Sequence, residues 1–374
     1  FNNAGAALMP QPVLDVMHEH MNLEATIGGY EAADKVSHLI ERVYVSIGKM
    51  LGAHKTEISL MENSTMAWNK AFFGIPFKEG DRILTCISEY GANFIGYLQI
   101  VKWKGVKVEI VPNTSSGIID CNALRSMIDE RVRLISITHV PTNNGLINPA
   151  VEVGKIANEH NILYILDACQ SVGQIPLNVD KIGCDMLSAA GRKWLRGPRG
   201  AGFLYVRNSV VKSLEPPMID HFASRWIDPS KYQLKENNEL FELWEKNYVA
   251  HLGQGAAVVY AQRIGLRNIE KRVRYLAVRL RDGLETIPGI TVRDIGVKKC
   301  AIVTFDSIQK PSEEIVRMLH KEDINSSVTS EDSTLLDFRS RKLSPLVRLS
   351  PHYYNTDNEV DIVLDVIAKT LHTG

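Results

Sequence analysis

Short apolar runs alternate with helix-like segments over the first part of the chain. The apolar runs have the length of buried strands and lie at 58–61, 82–87, 106–111, 132–137, 162–166, 186–189 and 202–206. The helix-like segments between them lie at 65–73, 92–104, 122–128 and 150–160. Apolar runs separated by helices predict a mainly parallel sheet that is covered on both faces. Such α/β sheets bind ligands at the carboxyl ends of their strands.

The last third of the chain shows a different pattern. Helical periodicity extends from 253 to about 286 and stops at Pro288 and Gly289, which are typical helix terminators. The segments that follow alternate between strand-like and helical, at 302–305, 312–320, 346–350 and 359–371. The pattern predicts a large domain over 15–255 and a smaller α+β domain over 256–374, which the N-terminal segment 1–14 joins.

Composition narrows the possible partners. The 374 residues carry 43 basic and 43 acidic side chains, so no basic field favours a nucleic acid or an anionic membrane surface. The apolar runs are too short to span a membrane, and no secretory signal opens the sequence, so we expect a cytoplasmic protein. The five cysteines are scattered without metal-ligand spacing, so neither a disulfide framework nor a metal site is predicted.

The strongest chemical signal is an acid at the end of a buried run with a lysine downstream. Asp167 follows the apolar run 162–166, and Lys193 lies in a glycine-rich stretch after it. Pyridoxal 5'-phosphate requires such a pair, because a lysine forms the Schiff base and a carboxylate pairs with the protonated pyridine nitrogen. Taken alone, Asp167 is more typical of a helix cap and Lys193 of an exposed surface lysine.

Polar residues follow several of the other predicted strands. Ser64 and Thr65 begin a predicted helix, where hydroxyls and free amides can bind a phosphate. Tyr90 follows the run 82–87 and can stack on a pyridine ring. The remaining candidates are Thr142 and Gln170, which can donate toward a phenolate oxygen, and Arg192, which offers a charged fork to a phosphate.

These motifs resemble the class V aminotransferase and cysteine desulfurase family. The resemblance rests on the run 167–173 (Asp-Ala-Cys-Gln-Ser-Val-Gly), on Asp185, and on the run 188–200 (Ser-Ala-Ala-Gly-Arg-Lys-Trp-Leu-Arg-Gly-Pro-Arg-Gly), and it extends over nearly the whole chain. It implies the fold type I architecture of pyridoxal-phosphate enzymes and a homodimer. It further implies that Lys193 holds the cofactor and that Arg348 binds the substrate α-carboxylate.

Within the family, the chain is similar to the branch of hercynylcysteine sulfoxide lyases of ergothioneine biosynthesis and isopenicillin-N-epimerase-like proteins. That similarity rests on 28–33, 89–93, 192–200 and 350–352. It implies β-elimination from an S-substituted or sulfoxide derivative of cysteine, giving pyruvate and ammonia. Lys193 is then the candidate base for the α-proton. Tyr30, His139 and His352 are candidates for protonating the leaving sulfur or shaping its pocket, with Tyr30 reaching a neighbouring subunit's site.

The sequence departs from the family pattern at positions that would contact the cofactor or receive sulfur. Desulfurases of the family carry a nucleophilic cysteine shortly before the carboxylate-binding arginine, but 327–339 contains none, which disfavours a persulfide-forming desulfurase. Tyr90 and Arg192 stand where many relatives have histidines. An aminotransferase, an epimerase and a non-catalytic cofactor-binding protein stay open. The substrate side chain is expected among 1–7, Tyr30, the aromatic and cationic residues of 220–248, and the loop 328–341.

Overall fold

The structure is a computed structural model that describes residues 1–372. A large β-sheet forms in the first part of the chain. Its strands run in the order β1-β7-β6-β5-β4-β2-β3, seven within the described residues. Five neighbouring strands are parallel: β6, β5, β4, β2 and β3. At one edge β7 pairs antiparallel with β6, and β1 pairs antiparallel with β7. The predicted α/β architecture with a mainly parallel sheet is confirmed. The bounds are β1 (Ile58–Met61), β2 (Arg82–Cys86), β3 (Lys107–Val111), β4 (Val132–Thr138), β5 (Leu163–Asp167), β6 (Met186–Ala190) and β7 (Gly202–Val206).

Helices cover both faces of this sheet, which explains why its central strands are apolar throughout. Residues of β5 and β6 such as Ile165, Leu166, Met186 and Leu187 are almost completely buried. The helices in this part are α1 (Gln11–Ile27), α2 (Gly29–Leu51), α3 (Ser64–Phe73), α4 (Gly91–Lys104), α5 (Cys121–Ser126), α6 (Ala150–Glu159) and α7 (Val179–Ile182).

The direction in which strands are added reverses between β2 and β4. Strand β3 lies on one side of β2, whereas β4, β5 and β6 are added on the other side. Loops that leave adjacent strands in opposite directions open a crevice at the carboxyl edge of the sheet, where ligands bind in doubly wound folds. The chain after β2, β4 and β5 therefore surrounds one site.

A second sheet follows in the last third of the chain, in the order β10-β11-β13-β12. Its strands are antiparallel and one face packs on helices, as the α+β pattern predicts. The elements are β10 (Ile290–Val292), β11 (Val303–Ser307), β12 (Ser327–Thr329) and β13 (Leu346–Leu349), with α10 (Ser312–Lys321), α11 (Leu335–Arg341) and α12 (Asp357–His372).

The long helix expected from 253 to about 286 is two helices. Helix α8 (Tyr248–Ile264) ends at Gly265, and α9 (Leu266–Glu285) begins directly after it. Gly265 has a φ of 90°, which interrupts the helical hydrogen bonding and which glycine adopts without strain. Apolar periodicity continues across the break, so the pattern alone did not indicate it.

The hydrophobic pattern of the sequence did not predict helices α1 and α2 or a hairpin after β7. Helices α1 and α2 lie against α8 and leave long polar faces exposed. A hairpin of β8 (Ser224–Asp228) and β9 (Lys231–Leu234) protrudes from the body, with the Trp226 side chain exposed. Within the described residues, no helix is long and apolar enough to cross a membrane.

Candidate active site

A cavity opens at the carboxyl edge of the large sheet, at the crevice between the ends of β2, β4 and β5. All eight residues that the sequence predicted for cofactor binding line it, together with four that it did not predict. The lining residues are Ser64, Thr65, Tyr90, Asn93, Thr138, Val140, Thr142, Asp167, Cys169, Gln170, Arg192 and Lys193.

Asp167 forms the deep end of the cavity. It is the last residue of β5, it is buried, and its backbone carbonyl accepts from the amide of His139 at 2.9 Å. Its Oδ1 accepts from the amide of Cys169 and its Oδ2 from Asn93 Nδ2, each at 2.9 Å. Each carboxylate oxygen has a second lone pair, so the fixed carboxylate can accept one more hydrogen bond from a ligand.

A second buried carboxylate, Glu89, lies behind Asp167. Asn93 Nδ2 donates to Glu89 Oε1 at 3.0 Å as well as to Asp167, so one amide joins the two acids. Burial raises the pKa of Glu89, and the negative charge of Asp167 raises it further. The donors that converge on Glu89 are Thr85 Oγ1, the Tyr90 amide, Asn93 Nδ2, Tyr97 Oη and Thr138 Oγ1.

The motif 89–93 contains Glu89 and Asn93, but the sequence assigned neither of them a role. Both carried a usable signal: Glu89 is an acid shortly after a buried apolar strand, as Asp167 is, and Asn93 follows it by one helical turn. Glu89 lies just before the cap of α4 and Asn93 lies in the first turn of that helix, so the Asn93 amide can reach back to Glu89. The link to Asp167 depends on the packing of β2 beside β4 and of β4 beside β5.

Lys193 lies in the turn after β6, where the chain passes the end of β5. Its ammonium group forms no hydrogen bond or ion pair with any of residues 1–372. Burial lowers the pKa of Lys193, and the positive charges of Arg192 and Arg348 contribute to the lowering. The neutral amine, which is the nucleophilic and basic form, is therefore more accessible here than in solvent.

Ser64 and Thr65 begin α3 at the cavity wall. The preceding residue, Asn63, caps the helix by accepting from the Met66 amide at 2.8 Å. The first amides of a helix point toward its N-terminus, where the helix dipole is positive. Two hydroxyls and free amides at this end can bind a phosphate dianion.

The side walls come from three loops. Tyr90 is the N-cap residue of α4 and lines the cavity, and 39% of the surface of the residue is exposed. Gln170 Nε2 donates to the carbonyl of Ala4 at 3.0 Å, and its Oε1 accepts from Trp194 Nε1 at 2.9 Å. Thr142 lies where Gln170 and Arg348 meet, 3.4 Å from Gln170 Nε2.

Arg348 reaches the cavity from β13 of the second sheet. Its guanidinium donates to Ser327 Oγ at 3.1 Å, to Thr142 Oγ1 at 2.5 Å and to Asn2 Oδ1 at 3.3 Å. No Asp or Glu of residues 1–372 lies within ion-pair distance of it. Burial lowers the pKa of Arg348 to about 10, and the positive charge of Arg192 contributes.

The residues predicted to act on the leaving sulfur are not among those that line this cavity. His352 is buried behind Trp194, with ring centroids 5.4 Å apart, and burial lowers its pKa to about 3. His139 is also buried, and burial lowers its pKa to about 4. Tyr30 lies in the first turn of α2 with 73% of its surface exposed. A role for Tyr30 in a neighbouring subunit's site stays a prediction.

The segment 327–341 closes the cavity beside Tyr90. Its Ser333 carbonyl accepts from the amide of Gly91 at 2.8 Å, and a Cβ at Gly91 would lie only 2.7 Å from the Asp332 carbonyl oxygen. Buried Asp337 accepts from the amide groups of Asn143 and Asn144 at 2.8 and 3.2 Å. The segment expected as a loop therefore contains β12 and α11 and is anchored to the loop after β4.

The cavity fits pyridoxal 5'-phosphate on the chemistry of its donors and acceptors. Asp167 offers a fixed carboxylate with a free lone pair, and Lys193 offers an amine without a protein partner. Ser64 and Thr65 offer hydroxyls and amides at a helix N-terminus, and Tyr90 offers a partly exposed ring. Within the described residues, no cluster of His, Cys, Asp or Glu could hold a metal ion.

Known proteins with similar sequences and folds agree with this geometry. The profile described as aminotransferase class-V matches residues 1–363. A probable cysteine desulfurase from Pyrococcus abyssi is 28% identical over 99% of this chain and 93% of its own length. The apo cysteine desulfurase from Thermococcus onnurineus superposes with a TM-score of 0.93 at 26% identity, covering 100% of this chain and 94% of its own.

The cystine C–S lyase C-DES, solved with its reaction product cysteine persulfide, has the same fold. It superposes with a TM-score of 0.87 at 19% identity, covering 98% of this chain and 96% of its own. Another structure of that lyase has glycine covalently linked to its pyridoxal-phosphate cofactor. The chain described here belongs to the class V aminotransferase family of pyridoxal-phosphate enzymes with the type I fold.

Proposed function

We propose that this enzyme is a carbon–sulfur lyase that performs β-elimination on an S-substituted cysteine or cysteine sulfoxide. Several of the similar proteins are named cysteine desulfurases, and one is a cystine C–S lyase, so cleavage of a C–S bond recurs among them. The choice between desulfurase and eliminating lyase depends on whether a thiolate can receive sulfur.

The observation that carries the proposal is the lack of such a thiolate. The segment 327–341 contains no cysteine and is anchored through Asp337. Only Cys169 among the cysteines lines the cavity, and burial raises the pKa of its thiol to about 12. The other four thiols also have raised pKa values because of burial, so they stay protonated near neutral pH.

The residues of the large sheet would hold the cofactor. Lys193 would bind it covalently, Asp167 would pair with the pyridine nitrogen, and Ser64 and Thr65 would receive the phosphate. When bound, pyridoxal phosphate supplies an electron sink for the pair left when the substrate loses its α-proton. Tyr90 would stack on the ring, and Thr142 and Gln170 would supply the other contacts.

Arg348 and Lys193 would act on the substrate. The Arg348 guanidinium has no carboxylate partner in the protein and would bind the substrate α-carboxylate as a fork. Lys193 Nζ, which would become a free amine when the substrate amino group replaces it on the cofactor and whose pKa is lowered, would take the proton from Cα. The Cβ–S bond then breaks, the sulfur leaves with its electron pair and takes up a proton, and the released aminoacrylate reacts with water to give pyruvate and ammonia.

The finer predictions rest on the sequence. The resemblance to hercynylcysteine sulfoxide lyases favours a sulfoxide substrate. The resemblance to the class V family supports a homodimer, in which Tyr30 beside two glycines would reach the neighbouring site. The sequence predicts a cytoplasmic protein.

The test is a product analysis with the purified holoenzyme. S-alkyl cysteines and their sulfoxides are supplied one at a time, and pyruvate, ammonia and the released sulfur compound are measured. Parallel reactions contain a keto acid, to detect transfer of the amino group, or cysteine alone, to detect alanine and protein-bound persulfide.

We expect pyruvate and ammonia in equal amounts without any added keto acid. Alanine together with persulfide would establish a desulfurase, and turnover that depends on a keto acid would establish an aminotransferase. Recovery of the opposite enantiomer without loss of sulfur would establish an epimerase. Each of these results would overturn the lyase proposal.

A further inference from the structure

Two guanidinium groups reach the same turn of the N-terminal segment. Arg348 donates to Asn2 Oδ1 at 3.3 Å, and Arg192 donates through Nη1 to the carbonyl of Gly5. The Gly5 amide donates to the carbonyl of Asn2 at 3.0 Å, which closes the turn. Arg192 comes from the loop that carries Lys193, and Arg348 comes from the second sheet, so the fold brings two cations together from distant parts of the chain.

Neither cation is neutralised by the protein. No Asp or Glu of residues 1–372 lies within ion-pair distance of Arg192 or Arg348. Buried Arg281, in contrast, has Asp294 Oδ2 at 2.6 Å from its Nε. Placing like charges close together in a partly buried site is unfavourable unless a ligand compensates for them. A single α-carboxylate neutralises one of the two.

The contact of Arg192 with Gly5 turns its guanidinium toward the N-terminal turn that also receives Arg348. The turn 2–5 that receives it continues into the bridge between Asn2 and Ser350, next to Arg348 on β13. The phosphate donors Ser64 and Thr65 belong instead to α3. Arginine is always charged and binds carboxylates with two parallel hydrogen bonds.

We propose that Arg192 determines substrate specificity by binding a second anionic group, carried on the sulfur substituent of the substrate. The substrate class is then a cysteine S-conjugate that ends in a carboxylate, sulfinate or sulfonate, with its α-carboxylate on Arg348. This inference rests on the proposed lyase function for its substrate class, and binding measurements test it separately from turnover.

The binding test compares adipate with its monoamide on the holoenzyme by calorimetry. Adipate has the chain length of S-carboxymethylcysteine, and the monoamide differs by one charge. We expect the wild-type protein to bind adipate at least about tenfold more tightly, because a charge-assisted fork is lost with the amide. The ratio is expected to fall to about one in Arg192→Gln, and to lie between the two in Arg192→Lys.

The kinetic test compares kcat/KM for S-carboxymethylcysteine and S-carbamoylmethylcysteine, with pyruvate as the readout. The ratio of the two values is expected to exceed about ten in the wild type and to collapse in Arg192→Gln. The matched control is Arg133→Gln. Arg133 is exposed and lies near the end of β4 opposite the site, so this variant is expected to keep the wild-type ratios of both binding affinity and kcat/KM. Circular dichroism and the dissociation constant of pyridoxal phosphate are measured for every variant.

Each outcome decides the question. Equal binding of adipate and its monoamide by a folded wild-type holoenzyme would overturn the proposal. It would also be overturned if Arg192→Gln kept both ratios and lost cofactor affinity, because Arg192 would then serve the cofactor phosphate. If neither conjugate yields pyruvate but the adipate preference depends on Arg192, the lyase proposal fails and the anion site stands.

Discussion

The two sides of the cavity differ in how far the protein satisfies its own polar groups. We call Asp167, Asn93 and Glu89 the floor, and Arg348, Arg192 and Tyr90 the rim. In the floor, Asn93 donates to both acids and four further donors converge on Glu89. In the rim, two cations have no carboxylate partner among residues 1–372. The protein satisfies the floor except for the lone pairs that Asp167 offers to a ligand, whereas the rim contains two cations without a counter-charge.

This difference indicates which groups are fixed before binding and which respond to it. Buried networks in which every member is satisfied are rigid, so the floor can hold Asp167 in one orientation. Unpaired charges store unfavourable free energy that an anionic ligand releases on binding.

Lys193→Ala removes the group that lies between floor and rim. We expect the rate of pyruvate formation to fall by at least about 10³-fold, because both covalent attachment and proton transfer are lost. The melting temperature of the apo protein is expected to change little, because the Lys193 amine has no protein partner. Activity within tenfold of wild type, with the cofactor still bound, would rule out the catalytic assignment.

Arg348→Met removes a rim charge. We expect kcat/KM for S-substituted cysteines to fall on the order of 100-fold or more, because the α-carboxylate loses its fork. The free energy of unfolding is expected to stay the same or to rise by roughly 1 kcal/mol, because an unpaired cation is removed. Urea titration of the apo protein measures this directly.

Arg281→Met is the matched control for that variant, because Arg281 is buried but paired with Asp294. Its loss leaves a carboxylate buried without its partner and is expected to cost about 3–5 kcal/mol of stability. If both arginine variants destabilise the protein equally, the rim is not an unpaired site and the comparison fails.

Glu89→Ala breaks the floor. Several buried donors lose their acceptor, so we expect the free energy of unfolding to fall by about 3–5 kcal/mol. Glu89→Gln keeps one carbonyl acceptor and should cost about 1–3 kcal/mol. The ultraviolet–visible spectrum of bound cofactor should shift in both variants if Glu89 orients Asp167 through Asn93. A normal spectrum in a destabilised variant would limit Glu89 to a structural role.

The folded protein is also expected to be sensitive to acid, because several of its histidines are buried. Burial lowers the pKa of His139 and His251 to about 4 and of His352 to about 3. Below pH 6.5 the unfolded chain binds protons at these histidines and the folded chain does not, so stability falls as pH falls toward about 4. Each histidine should cost roughly 2 kcal/mol at pH 5 relative to pH 7.5.

Urea titrations between pH 7.5 and pH 4.5 measure this dependence. His352→Gln should reduce the slope of stability against pH, whereas exposed His18→Gln should leave it unchanged. A free energy of unfolding that is flat over this range would contradict the buried neutral state of the three histidines.

The sequence predicted the parts of the site that follow from local pattern. Apolar runs identified the strands, and strand ends identified Asp167, Tyr90 and Thr142 as neighbours at one edge of the sheet. Asn93 was not predicted, because an asparagine early in a helix is an ordinary residue until its partners are known. The break at Gly265 was not predicted, because apolar periodicity continues through it.

By itself, the sequence determined the α/β class, the crevice at the strand ends and the identity of the chemical groups. These follow from periodicity and from residue type, which act over a few positions. Only the tertiary structure decided that Asn93 joins two carboxylates, that His352 is buried behind Trp194, and that Arg192 and Arg348 meet at one turn. Those relations depend on contacts between residues far apart in the chain, where packing sets the distance and the burial of each charge.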